Sequence, residues 1–408
     1  MNPSVMTSGE RIRYYRVKAG KTQAAVAGLV GRSEDWLSKV ERGVISIDSL
    51  SMLIRIAREL GLDNVADLVG GAVDISTTVS NQHPSVPEIK RALTTPPSLL
   101  GLSRSGDVLA PEDLAARVRE AWEVYETETD RYGPVGEALP GLLADAYATS
   151  AAVSGDAERA AVRSLISLLH LHQVFLRRVG ERALSLRAAE RALVIADEVG
   201  EPALIAAASW NVSGILVSSG QVDEALDLAR SVIAHTRPGP EAEPEHISAY
   251  GALHLVAVIA AVRASLAPTA WAMLAEARKI AKRIGEDRND FHTAFGPTNV
   301  SMHSVHLAAE EGDASEALRL ADEVEVPHNG VLPLERVTRY HLEVMHAHRR
   351  AGDDFGTLFM LRKIRDASPE EIRYSPLARE AAQTLVKRAR PHMRREVHEI
   401  AQHVGVLT

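Results

Sequence analysis

Apolar residues recur at helical spacing along two unlike parts of this chain. Over the first seventy residues the pattern is cut into short pieces. Ser8 can cap RIRYYRVKA, which stops at Gly20, and Thr22 caps QAAVAGLV, which stops at Gly31. Ser33 caps EDWLSKVER, ended by Gly43, and Asp48 caps SLSMLIRIAREL, ended by Gly61. A short polar side chain at an N-cap accepts from the free amides of the first turn, and glycine tolerates the left-handed turn past the last. Four capped helices on short connections predict a compact all-α module over residues 1–72.

From Gly71 to Pro111 the pattern fades. Pro84, Pro87, Pro96, Pro97 and Pro111 recur among Ser, Thr and Gly, so residues 73–110 read as an interdomain linker, with room for one short helix at PEIKRAL. Beyond it, residues 111–408 form a run of amphipathic helices separated by small turns. One phrase returns: GERALSLRAA from Gly180, GQVDEALDLA from Gly220, GDASEALRLA from Gly312 and GDDFGTLFML from Gly352. A degenerate copy, LAPTAWAMLAEA, begins near Leu266, which makes the intervals 40, about 46, about 46 and 40 residues. Each copy closes one helix and opens another, as in an α-solenoid. These repeats resemble tetratricopeptide repeats with longer helices or connections. The alternative is an irregular helical bundle whose turns are similar only because helix punctuation is.

Composition agrees. Aromatics make up 4% of the chain while Ala and Leu abound, a mix that favours packed helices over sheets. With no cysteine, disulfides and thiolate metal sites are excluded. The start, MNPSVMTSGE, lacks the basic region and apolar core of a signal peptide, and the longest apolar stretch, near Leu255 to Val262, is too short for a bilayer. A soluble cytoplasmic protein without a membrane role is expected. The net charge of −8 is unevenly spread: Met6 to Arg42 carries +4, the rest −12. The basic end suits phosphate.

The segment GERIRYYRVKAGKTQAAVAGLVGRSEDWLSKVERGVISIDSLSMLIRIARELG resembles the Cro/C1-type (Xre) DNA-binding family over about 55 residues. The likeness lies in the order of features: a basic first helix, TQ opening the second, VG in the turn, and a third helix reaching LSKVERG. It implies a lambda-repressor-like helix-turn-helix whose third helix enters the major groove. On that helix Leu37 and Val40 should face the core. Glu34, Asp35, Ser38 and Lys39 are left outward, and Trp36 is open between packing and a DNA contact. Lys39 could read guanine, and Glu34 or Asp35 could accept from cytosine, although acids in a first turn also serve the helix dipole. The resemblance places Gln23, Arg32, Ser33, Ser38 and Arg42 at phosphates. Short half-sites imply a homodimer on a palindromic operator in double-stranded DNA.

In the repeats, Asn211-Val212-Ser213 and Asn299-Val300-Ser301 share a tripeptide. An amide can donate to and accept from an extended peptide backbone. Gram-positive pheromone receptors, which join a similar head to such repeats, resemble this arrangement, so Asn211 and Asn299 are candidate contacts for a peptide or small-molecule effector. The alternative is that they are ordinary structural asparagines. Arg263, His254, Arg339 and Tyr340 could join the same groove. His303 with His306, and His341 with His346 and His348, sit at spacings that could hold zinc or sense protons, yet no HExxH pattern occurs. The basic stretch KRARPHMRREVHE reads as a capping helix with a solvated face. No Walker loop, GxGxxG, GxSxG or kinase set appears. An all-α DNA-binding regulator, not an enzyme, with no cofactor or metal, is the expectation. A regulator or scaffold whose repeats bind a protein partner is the competing one.

Overall fold

The structure, a computed structural model, describes residues 6–45, 47, 50–62, 68, 83–96, 106–128, 131–327, 330–369, 372 and 375–407. Among them the chain is helical throughout, with no strand beyond an isolated bridge between Arg288 and Phe295.

The head comprises α1 (Ser8–Lys18), α2 (Gln23–Leu29), α3 (Glu34–Glu41) and α4 (Leu50–Glu59). The cap of α1 is Thr7, one residue before the expected Ser8, because Glu10 completes a capping box: its amide donates to Thr7 Oγ1 and its carboxylate accepts from the Thr7 amide at 2.7 Å. Thr22 and Ser33 cap α2 and α3 as expected. The Asp48 cap lies outside the described residues. Ile12, Val26, Val30, Leu37, Val40 and Ile56 form one buried core.

The expected linker holds a helix, α5 (Val86–Thr94), with Pro87 in its first turn, where proline is tolerated. Its Val86, Ile89 and Leu93 are buried in the same core as α6 (Pro111–Thr127), α7 (Tyr132–Ala152) and α8 (Asp156–Arg178), so α5 packs with the repeat domain. After it come α9 (Arg182–Val199), α10 (Pro202–Ser218), α11 (Val222–His235), α12 (Pro244–Arg263) and α13 (Ala267–Ile284). The chain then runs through α14 (Pro297–Glu311), α15 (Ala314–Ala321), α16 (Leu334–Ala351), α17 (Asp354–Ala367), α18 (Pro376–Arg388) and α19 (Arg394–His403). The repeats are hairpins: α8/α9, α10/α11, α12/α13, α14/α15 and α16/α17.

All five hairpin turns share one bond pattern. The amide at the turn position returns to the carbonyl three residues back, and the next amide returns to the carbonyl five back. Gly180, Gly220, Gly312 and Gly352 hold these turns at φ of 85°, 81°, 94° and 75°. The α12/α13 turn places Ser265 there, at φ 65°. The first helices α8, α10, α12, α14 and α16 pack side by side, and the row curls until α16 meets α6. The chain is thus a helix-turn-helix head followed by a tetratricopeptide-like helical array.

Helices α10 and α12 are apolar on all sides because neighbours cover them on all sides. At 20 residues α12 is long and apolar enough to cross a membrane by length and composition, unlike the short stretch expected there. Yet 83% of that stretch is buried inside the fold, as in a core helix. The basic C-terminal segment forms the end of α18 and α19, whose Val397, Ile400 and Ala401 close the last core.

Candidate nucleic-acid interface and the seating of the head

The turn between α2 and α3 is made by Gly31 at φ 69°, and Ser33 Oγ accepts from the Trp36 amide at 3.1 Å to start α3. Leu37 and Val40 are buried and fix the rotation of α3 about its axis. Glu34, Asp35 and Arg42 are therefore exposed, with Ser38 and Lys39 half-buried beside them. These five side chains share one outward face. Lys39 Nζ lies 3.0 Å from Asp35, one turn earlier, and Arg42 Nε donates to the Ser38 carbonyl at 3.3 Å. An acid expected to read cytosine and the base expected to read guanine are thus paired with each other.

Gln23 is held differently from the expectation of a phosphate contact. Its amide donates to Glu41 at 2.7 Å, and Arg16 donates twice to the same carboxylate, at 2.5 and 2.9 Å. Only 1% of the Glu41 side chain is exposed. The Glu41 carboxylate, hydrogen-bonded to the Arg16 guanidinium, raises the pKa of Arg16 against the effect of burial. Glu41 thereby ties α1, α2 and α3 together. Trp36 is buried with the Arg32 guanidinium 5.4 Å from its ring, so it packs.

Arg32 and Ser33 leave the outward face altogether. Arg32 Nη1 donates to the Arg263 carbonyl, the last of α12, at 2.9 Å, and Ser33 Oγ lies 3.4 Å from Ser265 Oγ. Burial first, then the charge of Arg263, lowers the Arg32 pKa, while Glu310 and Asp223 pull the other way. A methyl built on Gly220 would come within 2.9 Å of Met52 Cε, and one on Gly312 within 2.7 Å of Val44 Cγ1. The head therefore lies across three successive hairpin turns. A small cavity under it is lined by Val44, Ile45, His306, Glu310, Glu343 and Leu377. Sequence reasoning missed Val44, Met52 and Ser265. Of these, Ser265 alone carried a signal, a serine in the place of a repeated glycine.

The repeat-domain candidates are dispersed. Asn211 is 4% exposed and Asn299 3%, and their amide nitrogens donate to the carbonyls of Ala207 and Ala294. Asn299 Oδ1 accepts from Arg336 Nε at 2.6 Å. Arg263 pairs with Glu310, Arg339 lies 3.4 Å from Glu343, Tyr340 donates to the Ala321 carbonyl, and His254 is buried against Tyr250. His303 Nδ1 lies 2.8 Å from the Asn299 carbonyl, whereas His306 faces Glu343 at 3.1 Å, so the two do not converge. Among the described residues no three metal-ligating side chains cluster.

An ion-pair cluster forms between the end of α8 and the start of α16. Arg177 and Arg178 both pair with Glu335. Burial pushes the Glu335 carboxyl up, but Arg178 and Arg177 outweigh it and hold its pKa at about 2. Beside them Tyr125 Oη is buried without a hydrogen-bond partner among the described residues, and Trp122 stacks on His292 at 3.5 Å. The loop bearing His292 is strained: Phe291, His292 and Ala294 all have φ between 52° and 58°.

Residues 9–68 match the family model of a helix-turn-helix domain. No curated protein sequence matches the chain. Among solved structures it is similar to Bacillus thuringiensis PlcR in complex with the peptide PapR7 and DNA, at 12% identity and a TM-score of 0.29, over 83% of this chain and 99% of that one.

Proposed function

We propose that this protein is a sequence-specific transcriptional regulator that binds double-stranded DNA through α3, as a homodimer on a palindromic operator. Its repeat domain senses a peptide or small-molecule effector. One observation carries the DNA reading: Glu34, Asp35, Ser38, Lys39 and Arg42 form one outward face on the third helix of a capped helix-turn-helix. Genome-wide capture of DNA by the full chain tests it. A short palindrome should be enriched and then lost in a Lys39→Ala/Arg42→Ala variant. Enrichment unchanged by that variant would remove α3 as the reader.

Support for the effector comes from the surroundings of the Arg177–Arg178–Glu335 cluster rather than from open asparagines. The buried phenol and strained aromatic loop beside it suit an apolar ligand group. Asn299 accepts from Arg336, the residue next to Glu335 in sequence. The reading in which the repeats hold a protein has its own observation: Phe355 and Phe359, one turn apart on α17, are 71% and 49% exposed. Light scattering of a Phe355→Ser/Phe359→Ser variant checks whether that patch joins two copies. A dimer that persists would leave the patch for another partner.

A further inference from the structure

The turns beneath the head have a common electrostatic character. Gly220, Ser265 and Gly312 follow the C-terminal ends of α10, α12 and α14, and a helix ends in carbonyls without amide partners and a partial negative charge. At α12 the accounting is explicit. The amides of Ala264, Ser265 and Leu266 turn back on the carbonyls of Ala260, Val262 and Ala261, and the Arg263 carbonyl, left over, accepts from Arg32. Glu310 and Asp223 add formal negative charge around the same guanidinium, set against the positive charges of Arg263 and Arg55. The surface that lies on this ridge belongs to the basic end of the chain.

We propose that the ridge is a docking surface for the chain's own head, one that imitates a phosphate backbone, so that seating on it and binding DNA exclude each other. An arginine fork and a serine hydroxyl are what a helix-turn-helix offers to phosphate oxygens. Here Arg32 and Ser33 offer the same groups to a helix-end carbonyl and a hydroxyl. In this seat the Arg32 guanidinium, with Nη1 on the Arg263 carbonyl at 2.9 Å, is engaged by the ridge rather than held for a phosphate.

Ser265 is the second, independent observation. Four of the five hairpin turns hold glycine in the left-handed region, where a side chain is disfavoured, and the fifth holds serine at φ 65°. The strained residue is the one whose hydroxyl meets the head. A glycine there would form the same turn more easily and lose that contact. The hairpin sets the left-handed φ, and docking accounts for the choice of serine over glycine. The flanking turns, Gly220 and Gly312, are bare where Met52 and Val44 approach, so the ridge admits the head closely at both ends.

The inference rests on the DNA-binding reading, and the absence of cysteine from the chain makes it directly testable. Full-length protein carrying Ser33→Cys and Ser265→Cys should form one intramolecular disulfide on oxidation, since the two hydroxyls are 3.4 Å apart. The probe is a pool of random-sequence 30-base-pair duplexes at low salt, where binding is dominated by phosphate contacts. Oxidised protein is expected to bind at least tenfold more weakly than the same protein reduced. Ser265→Gly, with the head untouched, should bind several-fold more tightly than the natural chain. Equal binding by the oxidised and reduced forms, or no cross-link at all, overturns the seat while leaving the DNA reading intact. No binding by the natural chain, the reduced variant and Ser265→Gly alike overturns the DNA reading, and this inference with it.

Discussion

Head and repeat domain handle buried polar groups in opposite ways. Among the described residues of the head the buried charged side chains are Arg11 and Glu41, and Glu41 is met by three donated hydrogen bonds from Arg16 and Gln23. The head contains no histidine, since all sixteen lie at or after His83. The repeat domain instead buries His170, His172, His254, His303 and His341, some with ring nitrogens that no group among the described residues meets. A module of some sixty residues has one layer of core and little room for polar groups inside it. A helical array buries whole helices, and whatever polar residues they carry go with them.

Acid should separate the two regions most strongly. Burial holds His170 and His303 at about 3 and His172, His254 and His341 at about 4, below the usual histidine value. The folded repeat domain therefore refuses protons that the unfolded chain accepts from about pH 6.5 downward. Their contribution to stability is complete above that pH and is lost as pH falls toward 3 to 4, by roughly 1.4 kcal/mol per unit for each histidine. Amide exchange between pH 7 and 5 should show the repeat domain losing protection while α1 to α3 keep theirs. Equal loss in both would break the comparison.

Glu41→Ala turns the same measurement on the head. Removing one partner of a buried ion pair costs about 3 kcal/mol or more, because the other is left uncompensated. Protection should collapse in α1 to α3 and stay unchanged in the repeats. Asn299→Ala makes the corresponding cut in the repeat domain. It removes an acceptor from Arg336 and should lower urea stability by roughly 1–3 kcal/mol, with no effect on DNA affinity. Smallest is Arg42→Ala, which should weaken binding to all DNA sequences alike and reduce the salt slope by about one unit. An unaltered slope would remove Arg42 from the phosphate contacts.

The same contrast explains what the sequence made legible. In the head α2 and α3 carry the expected caps and every helix is followed by a glycine, so its helices and the outward set on α3 could be read directly. The repeats were legible through their turns, because glycine at φ near 80° recurs in one bond pattern. Faces within the array were not. Asn211 lies on α10, which is apolar all round, so no stripe says which side meets a neighbour. The partners of Arg32 and Ser33 lie 231 and 232 residues further along the chain, and no local pattern points there. Helix α5 was legible as the short stretch PEIKRAL, with Pro87 in its first turn; its packing into the repeat core was not.

The head rests on three turns contributed by three consecutive repeats, and it spans them as a rigid body with its own core. Such a bridge stays in place only while the spacing of its supports is kept. Solenoids deform mainly by small rotations between neighbouring repeats, which add up along the array. A ligand that tightened or relaxed the curl would leave each repeat almost as it was, yet carry Gly220 and Gly312 apart from or toward each other on either side of Ser265. The head would then act as a gauge of superhelical pitch, responding to the sum of motions too slight to matter in any single hairpin.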